Sequence, residues 1–146
     1  MLLTTHMKVE KTLTSKLVLF YSMTGNTKAI AEVFKENGFD VFNVKEFDTI
    51  DIDKYSTIII GTSTWGRGVP PKPFFKIRNE LVALRNKKIG FFGSGRSEYQ
   101  YYCGALDLLE ELLQPKNKIL FKYKYEGYPR NMDFENIRKI IQEEIK

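Results

Sequence analysis

The 146-residue sequence contains a single cysteine, Cys103, and a single histidine, His6. One cysteine excludes an internal disulfide and a cysteine-only metal cluster, and one histidine beside it leaves too few ligands for a zinc site. Long apolar runs are also missing, and the N-terminal stretch Met1–Lys16 lacks the apolar core and cleavage site of a secretory signal. These absences predict a protein without a metal and without a membrane span, located in the cytoplasm.

The rest of the composition is that of a globular protein, with 42% hydrophobic and 28% charged residues. The length fits one domain that buries a full core, so we expect residues 17–146 to form that domain and residues 1–16 to be an N-terminal appendage of unknown order. The formal net charge of +5 is spread along the chain without a block of like charges. This dispersal indicates a solvated surface in preference to a nucleic-acid footprint, and we expect a monomer that meets acidic partners.

The most informative stretch lies near the N-terminus. An apolar run, Leu17–Tyr21, is followed by Ser22-Met23-Thr24-Gly25-Asn26-Thr27 and then by a helically periodic segment that starts near Ala29. A strand, a polar turn and a helix N-terminus in this order offer backbone N–H groups and hydroxyls to an anion. The turn lacks the lysine of a nucleoside-triphosphate loop and the G-x-G-x-x-G of a dinucleotide site. It therefore suits one terminal phosphate, and the alternative is an ordinary capped turn.

Strand and helix patterns alternate along the whole chain. Strands are predicted at Leu17–Tyr21, Val41–Val44, Thr57–Gly61, Lys88–Phe92 and Lys118–Tyr125. Helices are predicted from near Ala29 to Asn37-Gly38, over the spacing Phe74, Ile77, Leu81 and Leu84, at Ala105–Leu113, and over Phe134–Ile145. This alternation predicts an α/β fold with a doubly wound five-stranded parallel sheet in the order 2-1-3-4-5 between two helical layers. Ligands of such sheets bind where the winding reverses, here between strands 1 and 3.

The loops after strands 3 and 4 place aromatic residues among small ones. The first of these loops holds Trp65, and the second holds Tyr99, Tyr101 and Tyr102. Aromatic rings from two facing loops are able to sandwich a flat ring system, although each ring is also interpretable as a packing residue. A phosphate joined to a flat polar ring describes a mononucleotide, and a flavin fits best. Cys103 is interpreted as a small buried residue, since the sequence places no base beside it.

Three segments together resemble the short-chain flavodoxins. They are Ser22–Thr27, which matches the T/S-x-T-G-x-T phosphate loop of that family, Gly61–Gly66, which matches its loop after strand 3, and Gly93–Gly95 with Ser97–Ala105, which match its loop after strand 4. The resemblance runs from about Leu17 to the C-terminus. It implies that the protein binds FMN non-covalently and carries single electrons between a reductase and an acceptor, without turning over a substrate of its own.

The resemblance also implies a set of flavin-binding residues. The phosphate would be held by Ser22, Thr24, Asn26 and Thr27, with Ser63 and Thr64 near the phosphate and the ribityl chain. Trp65 and Tyr99 would flank the two faces of the flavin ring, and the peptide between Gly66 and Arg67 would change its orientation with the redox state. The other residues of the predicted site are Met23, Gly25, Ser94, Gly95, Arg96, Tyr102 and Cys103.

The sequence departs from the family in its charge. Flavodoxins are typically acidic, and they usually carry acids where this chain has Arg67 and Arg96. Positive charge near the flavin favours its fully reduced anion, so we expect a less negative second reduction potential than that of an acidic flavodoxin. A basic carrier is expected to dock on redox partners with acidic surfaces.

Other functions remain open at this stage. The segments Gly68-Val69-Pro70, Glu126-Gly127 and Asp133–Lys139 resemble the flavoproteins that activate dimanganese ribonucleotide reductase. A flavodoxin-fold module without flavin, serving as a scaffold or regulator, is a second alternative. A third is an FMN-dependent quinone or azo reductase, which needs a substrate pocket over the ring and usually a longer chain.

Overall fold

The computed structural model describes residues 15–22, 24–63, 70–96 and 103–145. Its strands are β1 (Lys16–Phe20), β2 (Asp40–Asn43), β3 (Thr57–Ser63), β4 (Lys88–Gly95) and β5 (Lys118–Glu126). Its α-helices are α1 (Asn26–Glu36), α2 (Lys72–Lys76), α3 (Arg78–Val82), α4 (Gly104–Leu113) and α5 (Asn131–Glu143). Short 3₁₀-helices lie at Val44–Thr49, Ile52–Lys54 and Gln114–Lys116.

The five strands form one sheet in the order β2-β1-β3-β4-β5, and every neighbouring pair is parallel. The predicted order is confirmed. The winding reverses between β1 and β3, so the segments that follow β1, β3 and β4 all leave the sheet at its carboxyl edge.

Side chains on the central strands alternate between two apolar cores, as the pleat of a strand requires. One core receives Leu17 and Leu19 of β1 together with buried residues of α2, α3 and α4. The other receives Val18 and Phe20 together with buried residues of α1 and α5. Because both faces of the sheet are covered, β3 reads as the continuous apolar run Ile58–Ile60, all of it fully buried.

The observed elements differ from the predicted ones at several boundaries. Strands β3 and β4 continue to Ser63 and Gly95, through residues that the sequence placed in loops, because the neighbouring strand supplies ladder hydrogen bonds that override their low strand propensity. The single helix predicted over Phe74–Leu84 is divided into α2 and α3 at Ile77, whose backbone leaves the helical region. Residues 48–54, for which the sequence predicted no strand or helix, contain 3₁₀-helical turns.

Side-chain hydrogen bonds tie the strands together at the amino edge of the sheet. The Tyr55 hydroxyl donates to Asp40 Oδ2 at 2.7 Å, and Lys87 Nζ donates to the Tyr55 carbonyl at 2.6 Å. Asn117 accepts from the Lys87 N–H at 3.0 Å and donates to the carbonyls of Leu84 and Leu113 at 3.0 and 2.8 Å. These bonds join the starts of β2, β3, β4 and β5 into one frame.

Candidate functional site

The turn after β1 is organised by one hydroxyl and one glycine. Ser22 Oγ accepts a hydrogen bond from the Gly25 N–H at 3.0 Å, which leaves the Ser22 hydroxyl proton free to donate elsewhere. Gly25 has φ +89°, in the left-handed region that favours glycine, and its carbonyl accepts the first helical bond from Ala29 N at 3.1 Å. Gly25 therefore shapes this turn, and its predicted contribution to flavin binding stays a prediction.

Helix α1 presents its N-terminus to this turn. Its first turn contains no acidic residue, and within the described residues no side chain caps it. The helix is 11 residues long, so the unpaired N–H groups at its start carry the positive end of the helix dipole. A Cβ built on Gly25 would meet nothing within 4 Å, which shows open space beside the turn. An anion placed here meets backbone donors without displacing a side chain.

Two buried side-chain oxygens, Thr27 Oγ1 and Ser63 Oγ, have no hydrogen-bond partner in the described part of the chain. Thr27 is fully buried in the first turn of α1, and Ser63 ends β3. A buried hydroxyl without a partner costs about 1–3 kcal/mol, so native proteins rarely keep one without a reason. Both lie at the carboxyl edge where a phosphate was predicted, and a bound phosphate ester would satisfy them.

Tyr125, which the sequence did not single out as a site residue, anchors this turn from β5. Its hydroxyl donates to the Asn26 carbonyl at 2.9 Å, and the side chain is 2% exposed. Burial raises the pKa of Tyr125 far above its ordinary value. The phenol therefore stays protonated and keeps donating. The sequence signal was its alternating position on β5, which predicted burial but not this contact.

The ends of β3 and β4 meet beside the turn. Ser63 and Ser94 are register partners on these neighbouring strands. At the next residue, a Cβ on Gly95 would lie 2.9 Å from the backbone nitrogen and from Sγ of Cys103, so only glycine fits without a shift. The Cys103 thiol is fully buried and donates weakly to the carbonyls of Gly93 and Tyr125 at 3.6 and 3.8 Å. Its predicted burial is confirmed, and its predicted contribution to flavin binding stays a prediction.

The described structure thus brings together one part of the predicted site. Ser22, Gly25, Asn26, Thr27, Ser63, Ser94 and Gly95 lie at the carboxyl edge, with Thr24 in the turn, Arg96 exposed directly after β4 and Cys103 directly before α4. The predicted site residues Met23, Thr64, Trp65, Gly66, Arg67, Tyr99 and Tyr102 lie outside the described residues.

Two classes of site are not found in the described residues. No group of three or more histidine, cysteine, aspartate or glutamate side chains is arranged to hold a metal ion there. None of the helices in that part of the chain is both long and apolar enough to cross a membrane. What the carboxyl edge offers is neutral hydroxyls and helix N–H groups, which are suited to a phosphate ester.

Comparison with known proteins places the chain in a family. The family model described as Flavodoxin matches residues 18–138. The chain is 30% identical over 135 residues to probable flavodoxin 2 of Bacillus subtilis, covering 84% of this chain and 89% of that protein. It is 32% identical over 130 residues to a flavodoxin of Maridesulfovibrio salexigens, covering 80% of this chain and 89% of that one.

The fold of this chain is also similar to that of a solved flavodoxin structure. The crystal structure of oxidised flavodoxin 1 from Bacillus cereus superimposes with a TM-score of 0.73 at 32% identity. The match covers 86% of this chain and 94% of that chain. Both fold and sequence are therefore shared over nearly the full length of these proteins.

Proposed function

Because this chain belongs to the flavodoxin family of FMN-binding electron-transfer proteins, we propose that the carboxyl edge of its sheet holds FMN by its phosphate. The observation that carries this assignment is that two buried hydroxyls, Thr27 Oγ1 and Ser63 Oγ, find no hydrogen-bond partner among the residues that the structure describes. Both are at the edge where the helix dipole and the open space beside Gly25 favour an anion.

The proposed roles divide between the three loops. Ser22, Thr24, Asn26 and Thr27 hold the phosphate, and Ser63 and Thr64 donate to the phosphate and the ribityl chain. Trp65 and Tyr99 enclose the ring, with Met23, Gly25, Gly66, Arg67, Ser94, Gly95, Arg96, Tyr102 and Cys103 completing the site. The bound FMN supplies one-electron redox chemistry, while these residues bind it, orient it and set the charge around it.

The finer functional assignments rest on charge and on the family. We propose that the chain acts as an electron carrier without a substrate of its own, as a monomer in the cytoplasm, with residues 17–146 as the flavin domain and residues 1–16 as an appendage. The formal net charge of +5 supports docking on a reductase and an acceptor with acidic surfaces. The family match favours this carrier role over the ribonucleotide reductase activator, the flavin-free module and the FMN-dependent reductase.

The phosphate assignment is tested with Thr27→Val, which removes the hydroxyl at nearly constant volume. FMN affinity should fall about 10- to 100-fold, the value of one hydrogen bond to a charged group. Without FMN, the variant should be at least as stable as the parent, because an unpaired buried hydroxyl has been removed. Fluorescence titration with FMN and urea unfolding of the flavin-free protein measure the two effects.

The matched control is Thr57→Val, which changes another buried threonine, at the amino end of β3. It should leave FMN affinity within about twofold of the parent, since Thr57 lies at the opposite edge of the sheet. Equal affinities in the parent and Thr27→Val would contradict the phosphate assignment.

A further inference from the structure

The amino edge of the sheet carries a second concave surface, at the opposite end of the strands from the flavin site. An open pocket of about 680 Å³ lies where β4 and β5 begin, and its lining includes Arg85, Lys88, Lys116 and Lys118. Strand β4 has 8 residues. At about 3.3 Å per residue, this pocket lies roughly 25 Å from the carboxyl edge. It is therefore separate from the flavin site.

The charge of this amino-edge pocket is of one sign. Its other described lining residues are Asn86, Pro115 and Asn117, none of them acidic. Ion pairs in the described residues join Lys122 and Lys124 to acids of α4, and none involves the four cations of the pocket. Four positive charges therefore share one concavity without neutralisation by the described part of the protein.

Two of these cations lie directly side by side. Lys88 and Lys118 are register partners on the parallel strands β4 and β5, and both are exposed. Neighbouring strands are about 4.8 Å apart, and register partners project to the same face of the sheet. Like charges in this arrangement repel each other and weaken strand pairing. An anion bound between them would turn that repulsion into attraction.

Hydrogen bonds join the two backbone segments that line the pocket. They oppose a backbone movement that would separate the cations. Asn86 N donates to the Lys116 carbonyl at 2.9 Å, and Lys118 N donates to the Lys87 carbonyl at 2.9 Å. The three hydrogen bonds of Asn117 cross-link the same two segments to the end of α4. The backbone positions that carry the charged side chains are therefore held in place before any ligand arrives, which lowers part of the entropy cost of binding.

We propose that the amino-edge pocket binds a small anion carrying two or more phosphoryl groups. Arg85 supplies a planar fork for two oxygens of one phosphoryl group, and the lysines supply point charges to the others. Several cations around one cavity match a polyphosphate better than a single phosphate. The rest of the chain's charge is dispersed, which favours a small anion over a nucleic-acid strand.

The test is a calorimetric titration of the full-length, FMN-loaded protein with inorganic triphosphate at low salt. Loading with FMN fills the phosphate turn at the carboxyl edge and restricts the measurement to other sites. We expect saturable binding that weakens as salt is raised. Arg85→Gln and Lys118→Gln should each weaken it about fivefold, the equivalent of one partly screened charge contact.

The matched control is the double variant Lys35→Gln with Lys139→Gln, which removes two exposed cations of α1 and α5. The double variant Arg85→Gln with Lys118→Gln has the same net charge and should weaken triphosphate binding more than either single change. We expect the control to keep triphosphate affinity within about twofold of the parent. Equal weakening in both double variants, or no saturable binding in the parent, would overturn the proposal.

Two further measurements separate this proposal from related ones. Inorganic orthophosphate should bind at least about tenfold more weakly than triphosphate, and equal affinities would refute the requirement for several phosphoryl groups. Without triphosphate, Lys118→Gln should melt at the same temperature as the parent or higher, because repulsion from Lys88 is relieved. A lower melting temperature would make Lys118 a structural residue and contradict the proposal.

Discussion

The two edges of the sheet differ in the hydrogen bonding of their polar side chains. At the amino edge, Tyr55, Lys87 and Asn117 connect the strand starts through side-chain hydrogen bonds. At the carboxyl edge, the buried hydroxyls of Thr27 and Ser63 are left without partners in the described residues. These hydrogen bonds at the amino edge stabilise the fold, whereas the two hydroxyls at the carboxyl edge form none that the described residues show and stay available to the proposed ligand.

This difference indicates that the stability of the fold and the affinity for flavin can be changed separately. A change at the amino-edge frame should alter unfolding without altering flavin affinity, and a change at the phosphate turn should alter affinity. The sites are about a strand length apart, and substitutions at that separation usually act independently. Four experiments, each with its own substitutions, test this separation.

Asn117→Ala should have the largest effect. The change removes three hydrogen bonds and leaves two carbonyls and one N–H of the frame without their partner. We expect a loss of about 2–3 kcal/mol in the free energy of unfolding, with FMN affinity unchanged. Urea unfolding and FMN titration measure the two quantities, and Asn79→Ala, on the exposed side of α3, is the control. A parallel loss of FMN affinity would show that the two edges are coupled.

Gly25→Ala and Gly38→Ala form a matched pair at the two ends of α1. The two glycines have φ +89° and +88°, and an added Cβ meets nothing within 4 Å at either. Each substitution should therefore cost about 1–2 kcal/mol of stability through the left-handed backbone alone. Only Gly25→Ala should also weaken FMN binding, because only Gly25 shapes the phosphate turn. Equal FMN affinities for the two variants would contradict the role of that turn.

Tyr55→Phe should lower the free energy of unfolding by about 1 kcal/mol at neutral pH, since one hydrogen bond to Asp40 is lost. Burial, the hydrogen bond to Asp40 and the charges of Asp40 and Asp51 raise the pKa of Tyr55 to about 12 from an ordinary 10.0. A raised pKa in the folded state means that this stabilisation is complete below pH 10 and is lost as pH rises through about 12.

The loss of stability at alkaline pH is measured by urea unfolding at a series of pH values from neutral to strongly alkaline. Tyr55→Phe should show a shallower decline in stability over that window than the parent, because the group that titrates is absent. Tyr128→Phe, at a tyrosine that is 62% exposed, is the control and should follow the parent curve. Identical slopes for the parent and Tyr55→Phe would refute the pKa assignment.

Arg96→Gln should have the smallest effect. It should change the second reduction potential of bound FMN and leave the stability of the fold unchanged. A charge roughly 8 Å from the flavin at an effective dielectric of about 40 contributes about 1 kcal/mol, or ~45 mV, and less when salt screens this exposed side chain. The second reduction potential of bound FMN should therefore become more negative, as measured by spectroelectrochemical titration. Arg85→Gln removes the same charge at the amino edge and should leave the potential unchanged. Equal shifts for both variants would show that net charge alone matters.

Much of the fold was predictable because its signals are local. The alternation of apolar strands and helices predicted the sheet order, and the spacing of Phe74, Ile77, Leu81 and Leu84 predicted four side chains that are in fact buried. The same spacing did not reveal the break at Ile77, because periodicity reports which face is apolar and not whether the backbone is continuous.

The motif of the candidate site was visible in the sequence, but the contacts that hold it in place were not. Ser22, Gly25 and Thr27 follow one strand in sequence, so their motif was visible. The hydrogen bond from Tyr125 to Asn26 joins residues 99 positions apart, and no local pattern encodes it. The side-by-side placement of Lys88 and Lys118 depends likewise on the register of β4 against β5.

The amino-acid sequence by itself therefore determined the layer architecture, the family and the polar turn after β1, because each depends on periodicity or on residues within one turn of the chain. Tertiary structure alone decided which hydroxyls, Thr27 and Ser63, are buried without partners in the described part of the chain, and which cations share a pocket. The physical reason is that hydrogen-bond satisfaction and charge neutralisation are properties of atoms brought together by strand pairing, and strand register is set by the packing of both cores.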